Sequence, residues 1–126
     1  LKIALNFSCD DDGSFSLSGD ADQIHQAVLN LIVNAFDALP DGGTIAVSLN
    51  RQNGALVLSV SDNGPGLPPD LIERAFDPFV TGKARGSGLG LAKVASVMEG
   101  HGGQARYRAV VPQGACFELS FPELVS

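Results

Sequence analysis

Cations are scarce in this sequence. Eight Lys and Arg stand against fourteen Asp and Glu, for a formal net charge of −6. A protein that binds a nucleic-acid backbone needs a basic face, so nucleic acid is not the expected partner. Cysteines are equally few: Cys9 and Cys116 form neither a CxxC pair nor a Cys/His ligand spacing. That argues against zinc and against a disulfide framework, and for reduced, buried thiols in a cytosolic domain. No apolar run approaches the roughly 18 residues that span a bilayer, so no membrane contact is expected of these residues. Internal repeats and low-complexity tracts are missing, as are GxxxxGK[ST], a GxGxxG match and the HRD and DFG motifs of protein kinases.

What is present fits one globular domain over residues 1–126. Hydrophobic residues make up 44% and charged residues 17%, enough for a real core at this length. The first residue is Leu1 and the only methionine is Met98, which places the expected start inside a longer chain and leaves the membrane status of the parent open. The charges are also unevenly spread. Between Asp77 and Glu99 there is no acidic residue, whereas Lys83, Arg85 and Lys93 fall there, so one local anion site is expected.

Ile3, Leu5 and Phe7 alternate, Asp10 to Gly13 turns the chain, and Phe15 and Leu17 alternate again, reading as a short hairpin. From Asp20, an N-cap, apolar residues Ile24, Val28, Leu31, Ile32, Ala35 and Leu39 recur at helical spacing until Pro40 and Asp41-Gly42-Gly43. Ile45, Val47 and Leu49, then Asn53-Gly54, then Leu56, Leu58 and Val60 predict a hairpin with a type I′ turn. Gly64 to Gly86 has little periodicity beyond a helical turn around Pro69 to Ala75, and a loop of that length in a compact domain is usually functional or disordered. Ser87 can cap a second helix with Leu91, Val94, Ala95 and Met98 on its apolar face, stopped by Gly100, Gly102 and Gly103. Tyr107 and Val111, then Phe117, Leu119 and Phe121, predict two closing strands. The order favours an antiparallel or mixed sheet with helices on one face.

Three stretches can carry chemistry. On the first helix Asn30, Asn34 and Asp37 stand at i, i+4 and i+7, with Gln23 and Gln26 extending the line. Such a line is as compatible with a solvated polar face as with oxygen donors for a hard cation such as Mg²⁺, which keeps waters and takes substrate phosphates as ligands. In SDNGPGLPPD, residues 61 to 70, Asp62 continues by strand parity the face of Leu56, Leu58 and Val60. A buried carboxylate needs a partner: either an Asx turn satisfies it, or the exocyclic amine of a purine does, with Gly64 and Gly66 letting backbone approach a flat ring. In GKARGSGLGLAK, residues 82 to 93, Gly86, Gly88 and Gly90 precede or open a helix behind Lys83 and Arg85. Exposed N–H groups at a positive helix end suit phosphate oxygens, although a plain glycine linker with a serine cap has the same composition.

Taken together, NxxxNA at 30–35, DNGPGLP at 62–68, AFDPFVTGK at 75–83 and GSGLGLA at 86–92 resemble, in order and spacing, the N, G1, F and G2 boxes. These belong to the ATP-binding catalytic domain of two-component sensor histidine kinases, within the larger family that also holds gyrase, Hsp90 and MutL. HGG at 101–103 and the QGACFELSFP stretch are similar to the family's closing strands, so the resemblance covers nearly the whole chain.

The resemblance implies an α/β, or α+β, two-layer sandwich: a mixed, mostly antiparallel sheet covered on one face by helices, with a mobile ATP lid at about residues 67–87. It implies Mg²⁺ on Asn34 with Asn30 assisting, and adenine on Asp62 with Gly64, Gly66 and Leu67 lining the base. Phe76 and Phe79 correspond to the aromatics that anchor the lid. Lys83 reaches the phosphates, with Arg85 beside it, and Gly86, Ser87, Gly88, Leu89 and Gly90 cradle them. His25 is expected as an exposed helix residue rather than a phosphoacceptor, and His101 sits at a helix end, where a cation is favourable.

Two departures stand out. Many members carry Lys or Arg where this chain has Asp37, which shifts charge compensation to Mg²⁺ and to Lys83 or Arg85. The lid is short, with FVTGK similar to the FTTK-like lid of the nitrogen-regulation and oxygen-sensing kinases. At Asn30 the hydrolytic relatives carry a glutamate base; an amide has no useful basicity, which favours histidine as acceptor over water or serine. The implied function is transfer of the γ-phosphoryl group of Mg-ATP to a histidine on a separate dimerisation domain of the same parent, upstream of Leu1, with a response regulator downstream. The isolated domain is expected to be a cytoplasmic monomer. A nucleotide-responsive regulatory module without phosphotransfer, and an ATP-hydrolysing clamp, are the alternatives.

Overall fold

The computed structural model describes residues 3–9, 20–67, 69, 72, 75–76 and 90–122, with backbone alone at 7–9 and 21. In chain order the elements are β1 (Ile3–Cys9), α1 (Ala21–Asp37), β2 (Gly43–Gln52), β3 (Ala55–Asp62), α2 (Gly90–Gly100), β4 (Gln104–Ala109) and β5 (Ala115–Pro122). One five-stranded sheet runs β1-β2-β3-β5-β4. β1 pairs with β2 in parallel, with Leu5 opposite Ile45, and the remaining pairs are antiparallel. The mixed sheet expected from the sequence is therefore present, its one parallel pair lying at the β1 edge. The returning strand expected at Phe15 and Leu17 lies outside the described residues.

Each element follows from its local chemistry. Asp20 caps α1, its Oδ1 accepting from the Gln23 N–H at 3.1 Å, and Asp22 adds negative charge in the first turn, where the helix dipole favours it. The helix unwinds through Leu39, whose N–H donates to Phe36 O at 3.0 Å, and Gly42 at positive φ completes the exit. β2 and β3 join through Asn53 (φ 52°) and Gly54 (φ 80°). Both are left-handed, as a type I′ turn requires, and its twist matches that of the strands it joins. After β4 the sequence reading needs correction. Val111 is not a strand residue but stands 91% exposed in the following turn. Pro112 next to it has no N–H for a ladder, which stops the strand early.

The core lies between the sheet and the two helices. Ala27, Leu31, Ala35 and Leu39, spaced by four, bring one stripe of α1 down on Ile45, Val47, Leu56 and Val60, while Val94 and Met98 do the same for α2 over Phe117, Leu119 and Phe121. His101 ties the helices together. Its Nδ1 lies 2.7 Å from Val97 O at the end of α2, and its Nε2 accepts the Asp20 N–H at 2.9 Å at the start of α1. The ring therefore joins the two helix termini, at the helix end where the sequence places it.

Cys116 is buried and free on β5. Burial pushes its thiol up from the ordinary value, and the Arg108 guanidinium, 3.4 Å from Sγ, opposes this in part. Burial disfavours the thiolate, which is the reactive form, so alkylation of native protein at pH 8 should run at least ~10-fold slower at Cys116 than in denaturant. Mass spectrometry of the Cys116 peptide reads the rate. Equal labelling in both states would contradict the burial.

Candidate nucleotide-binding site

Asp62 ends β3 and is the one buried charged residue among the described residues, at 5% exposure. Parity along β3 places it where the sequence predicts, in line with Leu56, Leu58 and Val60. Its Oδ1 accepts the Gly64 N–H at 2.9 Å. This is the Asx-type turn, made while the carboxylate still stands at the sheet end. The next residue, Asn63, fixes the exit: its Oδ1 accepts the Thr44 N–H at 2.9 Å, and its carbonyl accepts from Gln113 Nε2 at 3.0 Å.

The loop after Asp62 presses on α1. A Cβ on Gly64 would stand 2.7 Å from Ala38 O, a clash with backbone that nothing flexible can relieve. Ala38 in turn donates its N–H to Asn34 O at 3.2 Å. Asn30, Asn34 and Ala38 are therefore three successive points on one helix line, and the line ends against the loop that carries Asp62. Gly64 thus lets the loop that carries Asp62 touch the C-terminal end of α1, the helix that carries Asn30 and Asn34.

Asn30 and Asn34 are half-buried, while Asp37, Gln23 and Gln26 are exposed. The Asn30 Oδ1 accepts from Gln26 Nε2 at 3.0 Å, so one member of the expected polar line steadies another. Gly66 holds φ +77°, and a Cβ there would come within 3.0 Å of Gly114 O; the left-handed backbone and the close approach both call for glycine. Leu67 packs on the core edge and its N–H donates to the Tyr107 hydroxyl at 3.2 Å. Phe76 stacks edge-on against Phe117, centroids 6.0 Å apart. Gly90 opens α2 and is exposed. Phe79, Lys83, Arg85, Gly86, Ser87, Gly88 and Leu89 lie outside the described residues, as does most of the lid expected at 67–87. Pro69 and Ile72 have 3₁₀ geometry within that span.

Asn30 and Asn34 offer amide oxygens, a donor type that a hard cation accepts together with water and phosphate; among the described residues no group of three or more His, Cys, Asp or Glu could hold a metal ion. Sequence reasoning did not single out Asn63, Tyr107 as a partner of Leu67, or Gln113. Asn63 and Gln113 lie within the DNGPGLP and QGACFELSFP stretches and Tyr107 on a predicted strand, but their partners are distant in sequence.

Comparison with known proteins finds sensor histidine kinases. Sporulation kinase A of Bacillus subtilis is 34% identical over 87% of this chain and 18% of its own length. Sensor histidine kinase ZraS of Escherichia coli O157:H7 is 36% identical over 96% of this chain and 26% of its own. The chain thus spans about a quarter or less of the length of these relatives. Among solved structures, the mycobacterial sensor histidine kinase MprB superimposes with a TM-score of 0.86 at 32% identity, covering 98% of this chain and 84% of that one. Full-length ShkA in complex with AMPPNP gives 0.83 at 28% identity, covering 98% and 26%. Histidine kinase ThkA in complex with response regulator protein TrrA gives 0.78 at 27%, covering 95% and 34%. The family model described as histidine kinase-, DNA gyrase B- and HSP90-like ATPase matches residues 19–125. With that match over most of its length and a five-stranded mixed sheet under helices, this chain belongs to the histidine kinase-, gyrase- and HSP90-like ATPase family.

Proposed function

We propose that this chain is the catalytic part of a sensor histidine kinase: it binds Mg-ATP and donates the γ-phosphoryl group to a histidine on a separate dimerisation domain of its parent. The observation that carries this reading is the buried Asp62 at the end of β3, set beside the glycine loop that abuts the Asn30–Asn34–Ala38 line. A carboxylate in that position gives adenine's exocyclic amine an acceptor that guanine, with a carbonyl there, cannot use. Gly64, Gly66 and Leu67 line the base. Asn34 holds Mg²⁺ with Asn30 assisting, and Mg²⁺ supplies neutralisation of the charge that builds on the phosphates. Lys83 and Arg85 add positive charge, Gly86 to Gly90 offer backbone N–H groups, and Phe79 anchors the lid with Phe76.

The acceptor follows from Asn30. The imidazole nitrogen attacks the γ-phosphorus with its own lone pair and the bond to the β–γ bridging oxygen breaks, leaving ADP; no side-chain base is needed at position 30, and an amide provides none. The chain's contribution is positioning. ShkA was solved with AMPPNP and ThkA with a response regulator, which supports an adenine nucleotide as ligand and a response-regulator aspartate as the next acceptor. Among the described residues no helix is long and apolar enough to cross a membrane.

The decisive experiment incubates this chain with labelled ATP, Mg²⁺ and the histidine-bearing fragment of its parent. Acid-labile, alkali-stable label on that fragment is the expected result, with none on this chain alone. If nucleotide binds and no phosphohistidine forms, the chain is a regulatory module instead.

A further inference from the structure

We propose that Tyr107 is a positioning residue for the nucleotide loop, its hydroxyl holding the Leu67 N–H so that Gly64 to Leu67 is set before the base arrives. The inference rests on the nucleotide-binding reading above. β3 ends at Asp62, and beyond it the loop needs partners outside the ladder. Gly64 N–H takes the Asp62 carboxylate at 2.9 Å, and Leu67 N–H takes the Tyr107 hydroxyl at 3.2 Å from a strand forty residues further on. The loop is thereby pinned near each end of its Gly64–Leu67 stretch. Between the pins Gly66 lies so close to β4 and the turn behind it that a Cβ there would stand 3.4 Å from the Tyr107 hydroxyl and 3.0 Å from Gly114 O.

The hydroxyl itself is held. The Tyr107 ring tilts against Phe117 at 5.3 Å between centroids, and Phe117 meets the edge of Phe76 at 6.0 Å. Aromatic packing of this kind leaves the phenol one direction in which to present its oxygen. The same column thus grips Phe76 by its ring and Leu67 by its backbone. A loop ordered in the free protein costs less to order when ligand binds, so this contact should act on affinity.

Tyr107→Phe keeps the ring and deletes the acceptor. Three readouts on the whole chain test the proposal: hydrogen exchange at the Leu67 amide, calorimetric affinity for ATP, and the melting temperature without ligand. Loss of one hydrogen bond of ordinary worth should speed Leu67 exchange about 5-fold or more and weaken ATP about 3- to 10-fold. The melting temperature should fall by no more than about 4 °C, and by clearly more in Tyr107→Leu, which also loses the ring. Wild-type affinity in folded Tyr107→Phe overturns the proposal, and so does a melting loss in Tyr107→Phe as large as in Tyr107→Leu, since that assigns the residue to packing. Wild-type protein that binds no adenine nucleotide overturns the nucleotide-site reading as well, whereas binding by wild type with equal binding by the variant overturns the Tyr107 inference alone.

Discussion

Asp62→Asn should weaken ATP binding by about 10- to 100-fold, the cost of losing a hydrogen bond to a charged acceptor. The fold should survive the change. A carboxylate has two acceptor oxygens and an amide has one, and Gly64 N–H already claims an acceptor at 2.9 Å. If the Asn oxygen keeps that bond, its NH₂ faces the adenine amine, donor against donor. If the group flips, the Gly64 N–H is orphaned instead. An NH₂ facing the base suits the guanine carbonyl, so the preference for ATP over GTP should shrink along with the affinity for ATP. Calorimetry with both nucleotides reads the two effects, and a melting curve of the free variant separates them from unfolding. Unchanged affinity for ATP and GTP would refute the role given to Asp62.

The largest effect on stability should come from Leu31→Ala. Leu31 is fully buried in the stripe of α1 that faces the sheet, and its neighbours on that stripe, Ala27 and Ala35, are too short to fill the hole. Truncations of this kind cost about 2–5 kcal/mol, against about 5–15 kcal/mol for a whole domain. The melting temperature should drop by roughly 10 °C or more. Saturating Mg-ATP should recover part of the drop, because a ligand that binds only the folded state adds its binding free energy to stability. Denaturant unfolding provides the check. A loss below about 1 kcal/mol would mean that α1 does not seat on the sheet through Leu31.

α1 was legible from its Asp20 cap and four-residue apolar spacing, and the β2–β3 hairpin from Asn53-Gly54, because capping, helical periodicity and left-handed turns depend on residues a few positions apart. The burial of Asp62 was legible for the same reason, as parity along one strand. The pairing of β1 with β2 in parallel, the insertion of β5 between β3 and β4, and the early end of β4 before Val111 were not, since each is decided by which surfaces meet. That the helix line of Asn30 and Asn34 ends at Ala38 against the Gly64 loop was not legible either, because it joins residues of two distant segments.

By itself, then, the sequence determined the two helices and the β2–β3 hairpin, the apolar face of each, and the residue types a Mg-nucleotide site would need, all of which are set by short-range sterics and periodicity. Tertiary structure alone decided that Asp62 already shares its carboxylate with Gly64, that His101 bridges Asp20 and Val97, and that Tyr107 reaches Leu67. Those bonds join residues up to 81 positions apart. Buried and half-buried polar groups take whichever partner the packed core brings within about 3 Å, and that is fixed only when the whole sheet and both helices have closed.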